Sequence, residues 1–63
     1  MSFRVQADLN GSGVAIVVAN ARNALIVIKE LVDLGYSDVV TTDFEGRIVN
    51  RARLETEATS ETQ

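Results

Sequence analysis

The chain has 63 residues, with no cysteine and no histidine. A chain of this length forms one domain at most and buries only about 60% of the surface that its unfolded form exposes. Without cysteine or histidine it has no disulfide, no thiolate or imidazole metal ligand and no imidazole general base, so we expect no enzyme activity, no metal and no cofactor. Small domains are commonly stabilised by disulfides, a metal or oligomerisation, and only oligomerisation remains for this chain.

The net charge of −3 is unevenly distributed along the chain. Residues 1–54 carry equal numbers of basic and acidic side chains, and the acidic excess lies in Glu55, Glu57 and Glu61. This charge therefore does not define an acidic binding face. No apolar run approaches the roughly 20 residues that a membrane helix needs, and the first residues lack the apolar core of a signal peptide. We expect a cytoplasmic protein without membrane contact.

Two strands are predicted in the first third of the chain. Polar and apolar side chains alternate over residues 3–9, the period that is typical of a strand with one buried face. Residues 10–13 form a turn of asparagine, glycine and serine. Residues 14–19 are rich in β-branched side chains and favour a second strand. The alternative is one continuous helix from residue 14 to residue 34.

An amphipathic helix is predicted over residues 21–34. Its apolar side chains recur at the helical period, and Asn20, which precedes it, is the predicted N-cap. Gly35 fits the left-handed position that closes a helix, and Tyr36 can supply the apolar contact that accompanies such a cap. The period changes from two to 3.6 residues between the second strand and this segment, which marks the boundary between them.

The last part of the chain predicts a hairpin and a tail. Residues 39–42 are strand-forming, and residues 43–46 fit a type I turn with glycine in the left-handed position. Ile48 and Val49 then begin a returning strand that ends by Leu54. Residues 55–63 have no apolar period and are predicted to be a disordered acidic tail. The domain organisation is thus one domain over residues 1–54 followed by that tail.

The elements together predict an α+β fold of the order ββαββ. We expect a four-stranded, mainly antiparallel sheet with one helix packed on one face. The order of elements is similar to that of the small grasp-like domains. This resemblance concerns topology alone, and a shared fold does not carry function.

The sequence has more apolar residues than one small core requires. Whichever face of the second strand is buried, the other still carries apolar side chains, and the outward side of the helix carries more. A contiguous exposed patch of this kind indicates an interface rather than imperfect amphipathicity in a monomer. We expect a homodimer or a higher oligomer, and a non-enzymatic, self-associating interaction module. The candidate interface residues are Ala15, Val17, Ala19, Ile26 and Val27.

A small nucleic-acid-binding protein is one alternative. Arg47, Arg51 and Arg53 alternate along the predicted last strand and would lie on one face, beside Arg4 of the first strand. Such a stripe could contact phosphates. The neutral body and the acidic tail weigh against it, and arginines on an edge strand also serve to prevent aggregation.

A regulatory or ligand-binding subunit is the other alternative. Its pocket would form only between protomers, because a single small domain has little room for one. Tyr36, Phe44 or Ile26 would line that pocket.

Overall fold

The computed structural model describes residues 2–61, which form one antiparallel sheet and two helices. The order along the chain is β1 (Phe3–Leu9), β2 (Ser12–Val18), α1 (Ala21–Asp33), β3 (Ser37–Asp43) and α2 (Arg51–Glu61). The strand order in the sheet is β2-β1-β3, so β1 is central and the other two strands are its edges.

A tight hairpin joins β1 to β2. Its two loop residues, Asn10 and Gly11, have positive φ angles of 51° and 83°. A two-residue type I′ turn requires positive φ at both positions, which asparagine tolerates and glycine adopts freely. The ladder then runs without interruption from Leu9 opposite Ser12 to Phe3 opposite Val18. The two predicted strands are confirmed, although β2 runs over Ser12–Val18 rather than residues 14–19 and the turn is shorter than the predicted residues 10–13. The alternative of one long helix from residue 14 is excluded.

The predicted start of α1 is also confirmed, and its end at Asp33 lies one residue before the predicted one. At its start, the Asn20 side-chain oxygen accepts a hydrogen bond of 2.9 Å from the amide of Asn23. At its end, the amides of Gly35 and Tyr36 each donate a bond of 3.0 Å to carbonyls of the last turn. This pair of bonds is the Schellman closure, which needs a left-handed residue, and Gly35 has a φ of 96°. Tyr36 packs against the core as expected.

Both helices pack on the same face of the sheet. Side chains of β1 alternate between the two faces, with Phe3 and Val5 buried and Arg4 exposed. Leu54 of α2 is 0% exposed and lies in the same apolar cluster as the buried face of β1. The buried members of this cluster are Phe3, Val5, Ala7, Ala21, Ala24, Leu31, Val49 and Leu54. The other face of the sheet carries no helix among residues 2–61.

The expected four-stranded sheet with one helix is wrong, because the described chain has three strands and two helices. After the turn, the returning segment makes one isolated bridge, Ile48 with Thr42. Two backbone hydrogen bonds accompany it, from the Val49 amide to the Thr41 carbonyl at 2.8 Å and from the Asp43 amide to the Arg47 carbonyl at 2.9 Å. The chain then leaves the sheet. The similarity to grasp-like domains fails with it, since that topology requires the fourth strand.

The second helix replaces both the fourth strand and most of the predicted tail. Asn50 begins it, accepting a bond of 2.8 Å from the Arg53 amide to its side-chain oxygen. The helix then turns Leu54 and Ala58, four residues apart, toward the core. A strand would instead have placed the charged residues Arg51, Arg53 and Glu55 on the same, core-facing side as Val49, which is buried. Residues 55–61 are therefore helical rather than disordered, and residues 62 and 63 lie outside the described residues.

Candidate self-association surface

The helix-free face of the sheet, which we call the open face, mixes polar and apolar side chains. The strand register places Ala15, Gln6 and Val40 in one row across it. The next row is Val17, Arg4 and Thr42, which Ile48 extends through its bridge. Val17 is 71% exposed and Ile48 76% exposed. The apolar groups of this face therefore lie toward its two sides, and the polar groups of β1 lie along its middle.

The outer edge of β2, which we call the β2 edge, is unprotected. In the described part of the chain, β2 pairs only with β1. Its seven residues include no charged side chain and no proline. Ile16, on the helix side, is 37% exposed, and Val17, on the open face, is more exposed still. An exposed, uncharged edge strand presents unpaired backbone groups, together with apolar side chains, to any strand that can align with it.

The opposite edge of the sheet, at β3, is protected in two ways. The segment after the turn covers its end, where the amides of Asp43 and Val49 join the two segments by bonds of 2.9 and 2.8 Å. Nearer its start, the register with β1 shifts between Gln6 and Asp8, and Asp38 has a positive φ of 54°. A bulge and a charged residue are features that discourage pairing of an edge with another chain. The two edges of this sheet therefore differ, and only the β2 edge is available over its full length.

The structure separates the five interface residues predicted from sequence. Ala15 and Val17 are exposed on the open face, and Ala19 is exposed one residue beyond β2. Ile26 is 51% exposed, but it lies on α1 and hence on the opposite side of the sheet. Val27 is half-buried against the core. The three residues in and after β2 therefore form a candidate surface that excludes the two helical residues.

The arginine stripe predicted from sequence is not assembled. Arg4 is on the open face, whereas Arg51 and Arg53 lie on α2, which packs against the other face. The strand whose alternation would have aligned them is absent from residues 2–61. The three C-terminal arginines instead pair with neighbouring carboxylates: Arg47–Glu45 at 3.9 Å, Arg51–Glu55 at 3.3 Å and Arg53–Glu57 at 3.8 Å.

The three residues suggested for a pocket between protomers also occupy different places. Tyr36 packs against the core after α1, and Phe44 is 64% exposed in the turn after β3. Ile26 is on the outward side of α1. A depression of about 550 Å³ does exist on the open face. Its lining includes none of these three residues and consists of Gln6, Ala7, Asp8, Gly13, Val14, Ala15, Asp38 and Val40.

Asp43 organises the turn between β3 and the returning segment. Its Oδ1 accepts hydrogen bonds from the amides of Glu45 at 2.9 Å and Arg47 at 3.0 Å. The Arg47 amide is the main reason that the pKa of Asp43 is lowered; burial opposes the shift, and the Glu45 amide reinforces it. Gly46 completes the turn with a φ of 84°. The turn is the one predicted from sequence, and the role of this carboxylate is structural.

Glu61 is an important residue that sequence reasoning missed. Its carboxylate accepts hydrogen bonds from the first two amides of α1, those of Ala21 at 2.8 Å and Arg22 at 3.1 Å. The Asn20 side chain accepts the hydrogen bond of the third amide, that of Asn23. The last turn of α2 therefore completes the capping of α1. Forty residues separate Glu61 from Ala21. No local pattern could have indicated this contact.

The comparisons with known proteins give no further guidance. No family model, curated protein or solved structure matches this chain. Within residues 2–61, no helix has both the length and the apolar character needed to cross a membrane. In the same range, no three acidic side chains are grouped so that they could hold a metal ion.

Proposed function

We propose that this chain is a non-enzymatic interaction module that associates with copies of itself through the β2 edge. The observation that supports the proposal is the contrast between the two edges of the sheet. The β3 edge is bulged and covered, whereas the β2 edge is uncharged over seven residues and exposes Ile16 and Val17. Leaving such an edge in solvent is a liability that monomeric proteins usually avoid.

The expected association is reversible and of modest strength. Each new backbone hydrogen bond contributes about 0.5–1.5 kcal/mol, and the loss of independent motion on association costs at least about 4 kcal/mol. Pairing through a single strand of seven residues buries an area at or below the lower end of stable interfaces, about 1,200 Å². We therefore expect a dissociation constant in the micromolar to millimolar range.

The test compares Val17→Glu with the unmodified chain. In one protomer, the new carboxylate lies beside Arg4, an opposite-charge cross-strand pair that preserves the fold. At the β2 edge it introduces a charge into a strand that has none, and charged side chains on an edge strand discourage its pairing with another chain. We expect light scattering after size exclusion, over about 10 µM to 1 mM, to give a monomer for Val17→Glu where the unmodified chain is dimeric. Circular dichroism verifies the fold.

Ile48→Glu is the matched control, because Ile48 is equally exposed and lies on the open face beyond β3. We expect this variant to associate like the unmodified chain. Loss of association in both variants would indicate that the interface is the open face as a whole and not the β2 edge. An unmodified chain that is monomeric throughout would overturn the proposal.

Nucleic-acid binding gains no specific support from the arrangement of the arginines. Arg51 and Arg53 pair with glutamates one helical turn away, and Arg4 lies on the other face of the sheet. A phosphate would have to compete with these carboxylates for the same guanidinium groups.

A further inference from the structure

We infer that β2 pairs antiparallel with β2 of a second copy, with Ala15 opposite Ala15 of that copy, so that the two sheets become one of six strands. The inference rests on the proposed function and specifies its geometry. Ala15 is the middle residue of Ser12–Val18, so this register overlaps all seven residues of both strands. A two-fold axis through Ala15, perpendicular to the sheet, keeps the helices of both copies on one face.

The side chains of β2 match one another in this register. Paired residues share a face, so Val14 lies opposite Ile16 of the second copy on the helix side. Ile16 is 37% exposed in one protomer. In the symmetric pair, each of the two Ile16 side chains is covered by Val14 of the other copy. On the open face, Val17 lies opposite Gly13 of the second copy, which has no side chain of its own but lies beneath the Asp8 carboxylate, whose Oδ1 is 3.2 Å from where a Cβ of Gly13 would be. The apolar match is therefore on the helix side of the seam, at Ile16 and Val14.

The charges that flank the seam are complementary as well. The β2 strand has no charge, so two identical strands face each other without repulsion. In the neighbouring strand, Arg4 lies beside Val17, and Asp8 lies beside Gly13. The register therefore places Arg4 in the same row as Asp8 of the second copy, and the symmetry repeats this row. Neither residue forms an ion pair within the described part of the chain. The two residues are three strand spacings apart, about 14 Å, so this complementarity acts at long range, and it favours a second copy as the occupant.

Packing of two open faces against each other is the competing geometry. It would place Arg4, Gln6 and Asp8, the middle of that face, at the centre of the interface. Burying such groups is costly unless each finds a partner. Edge pairing leaves all three in solvent and covers only the apolar strand. The positions of the polar side chains therefore favour the edge.

The test is a disulfide at the proposed two-fold axis, in a chain that has no cysteine of its own. Opposite residues of antiparallel strands have Cα atoms about 4.5–5.5 Å apart, within the range that a disulfide bridges. Stacked sheets lie about 10 Å apart, which is too far. We expect Ala15→Cys to form a covalent dimer under mild oxidation at least about tenfold faster than Val40→Cys, a control on the same face of β3.

The outcomes separate the inference from the proposed function. If the unmodified chain is dimeric but Ala15→Cys is oxidised no faster than Val40→Cys, the register is wrong and self-association remains. Faster oxidation of Val40→Cys would show that two copies meet nearer Val40 than Ala15 and would likewise overturn the register. If the unmodified chain is monomeric throughout, the proposed function itself fails. Amide hydrogen exchange of the unmodified chain provides a check without cysteine, because the β2 amides should become more protected as concentration rises, and unchanged protection overturns the inference.

Discussion

The substitution Leu54→Ala tests whether α2 is part of the folded domain. Leu54 is 0% exposed and is the largest fully buried side chain among the described residues. It is the only buried residue of α2, and it belongs to the cluster that contains Phe3 and Val5. The fold predicted from sequence has a strand that ends by Leu54 and no second helix on the core, so the substitution addresses the main difference between the predicted and the observed fold.

The expected loss follows from burial. Removing a buried leucine side chain costs about 2–5 kcal/mol, as lost transfer free energy and as the cavity that remains. A chain of 63 residues has a total stability of about 3–9 kcal/mol. Leu54→Ala should therefore remove about half of the stability and lower the melting temperature by about 10–30 °C. Thermal unfolding followed by circular dichroism measures this, at one protein concentration because association also stabilises the fold.

Thr56→Ala is the control for this experiment. Thr56 is exposed on the same helix, two residues from Leu54, and its hydroxyl bonds only to the carbonyl of Ala52. Surface changes of this kind usually alter stability by no more than about 0.5 kcal/mol. If Leu54→Ala melts within a few degrees of the control, α2 does not pack as described and the reasoning is refuted.

Two further predictions concern the carboxylates that hold the fold together. Glu61→Ala removes the acceptor of the first two amides of α1 and should cost about 0.5–2 kcal/mol in urea unfolding, the range for a lost N-terminal cap; a midpoint equal to that of the unmodified chain would show that the cap is not formed. Asp43 has a pKa below its ordinary value of 3.8, so its charge stabilises the fold above that pH and this contribution is lost as pH falls through the lower, folded-state pKa. Asp43→Asn should therefore melt below the unmodified chain at pH 7, and the gap should narrow below about pH 4; a gap that does not change with pH would contradict this.

The sequence predicted those parts of the fold whose signals are local. The alternation in β1, the β-branched residues of β2 and the helical period of α1 each extend over two or more turns or strand repeats. The Schellman glycine, Gly35, and the turn at Asp43 each depend on one residue type in one backbone conformation. These features do not require knowledge of the rest of the chain, and the structure confirms them.

The second helix depends on contacts that no local pattern reveals. Only Leu54 and Ala58 of its eleven residues pack on the core, and the remainder is polar except for the exposed Ala52. Its far end is fixed by Glu61, whose partners lie forty residues earlier in the chain. For the same reason, only part of the candidate surface could be predicted. The apolar excess of β2 was visible in the sequence, but placing Ile26 on another side of the domain required the layer arrangement.

The central claim is self-association, and sedimentation equilibrium of the unmodified chain tests it most directly. Over about 10 µM to 1 mM, a dissociation constant in the expected range predicts an average mass that rises with concentration from that of one chain, 6.8 kDa, toward twice that value. A mass that stays at 6.8 kDa up to the highest concentration would contradict the account.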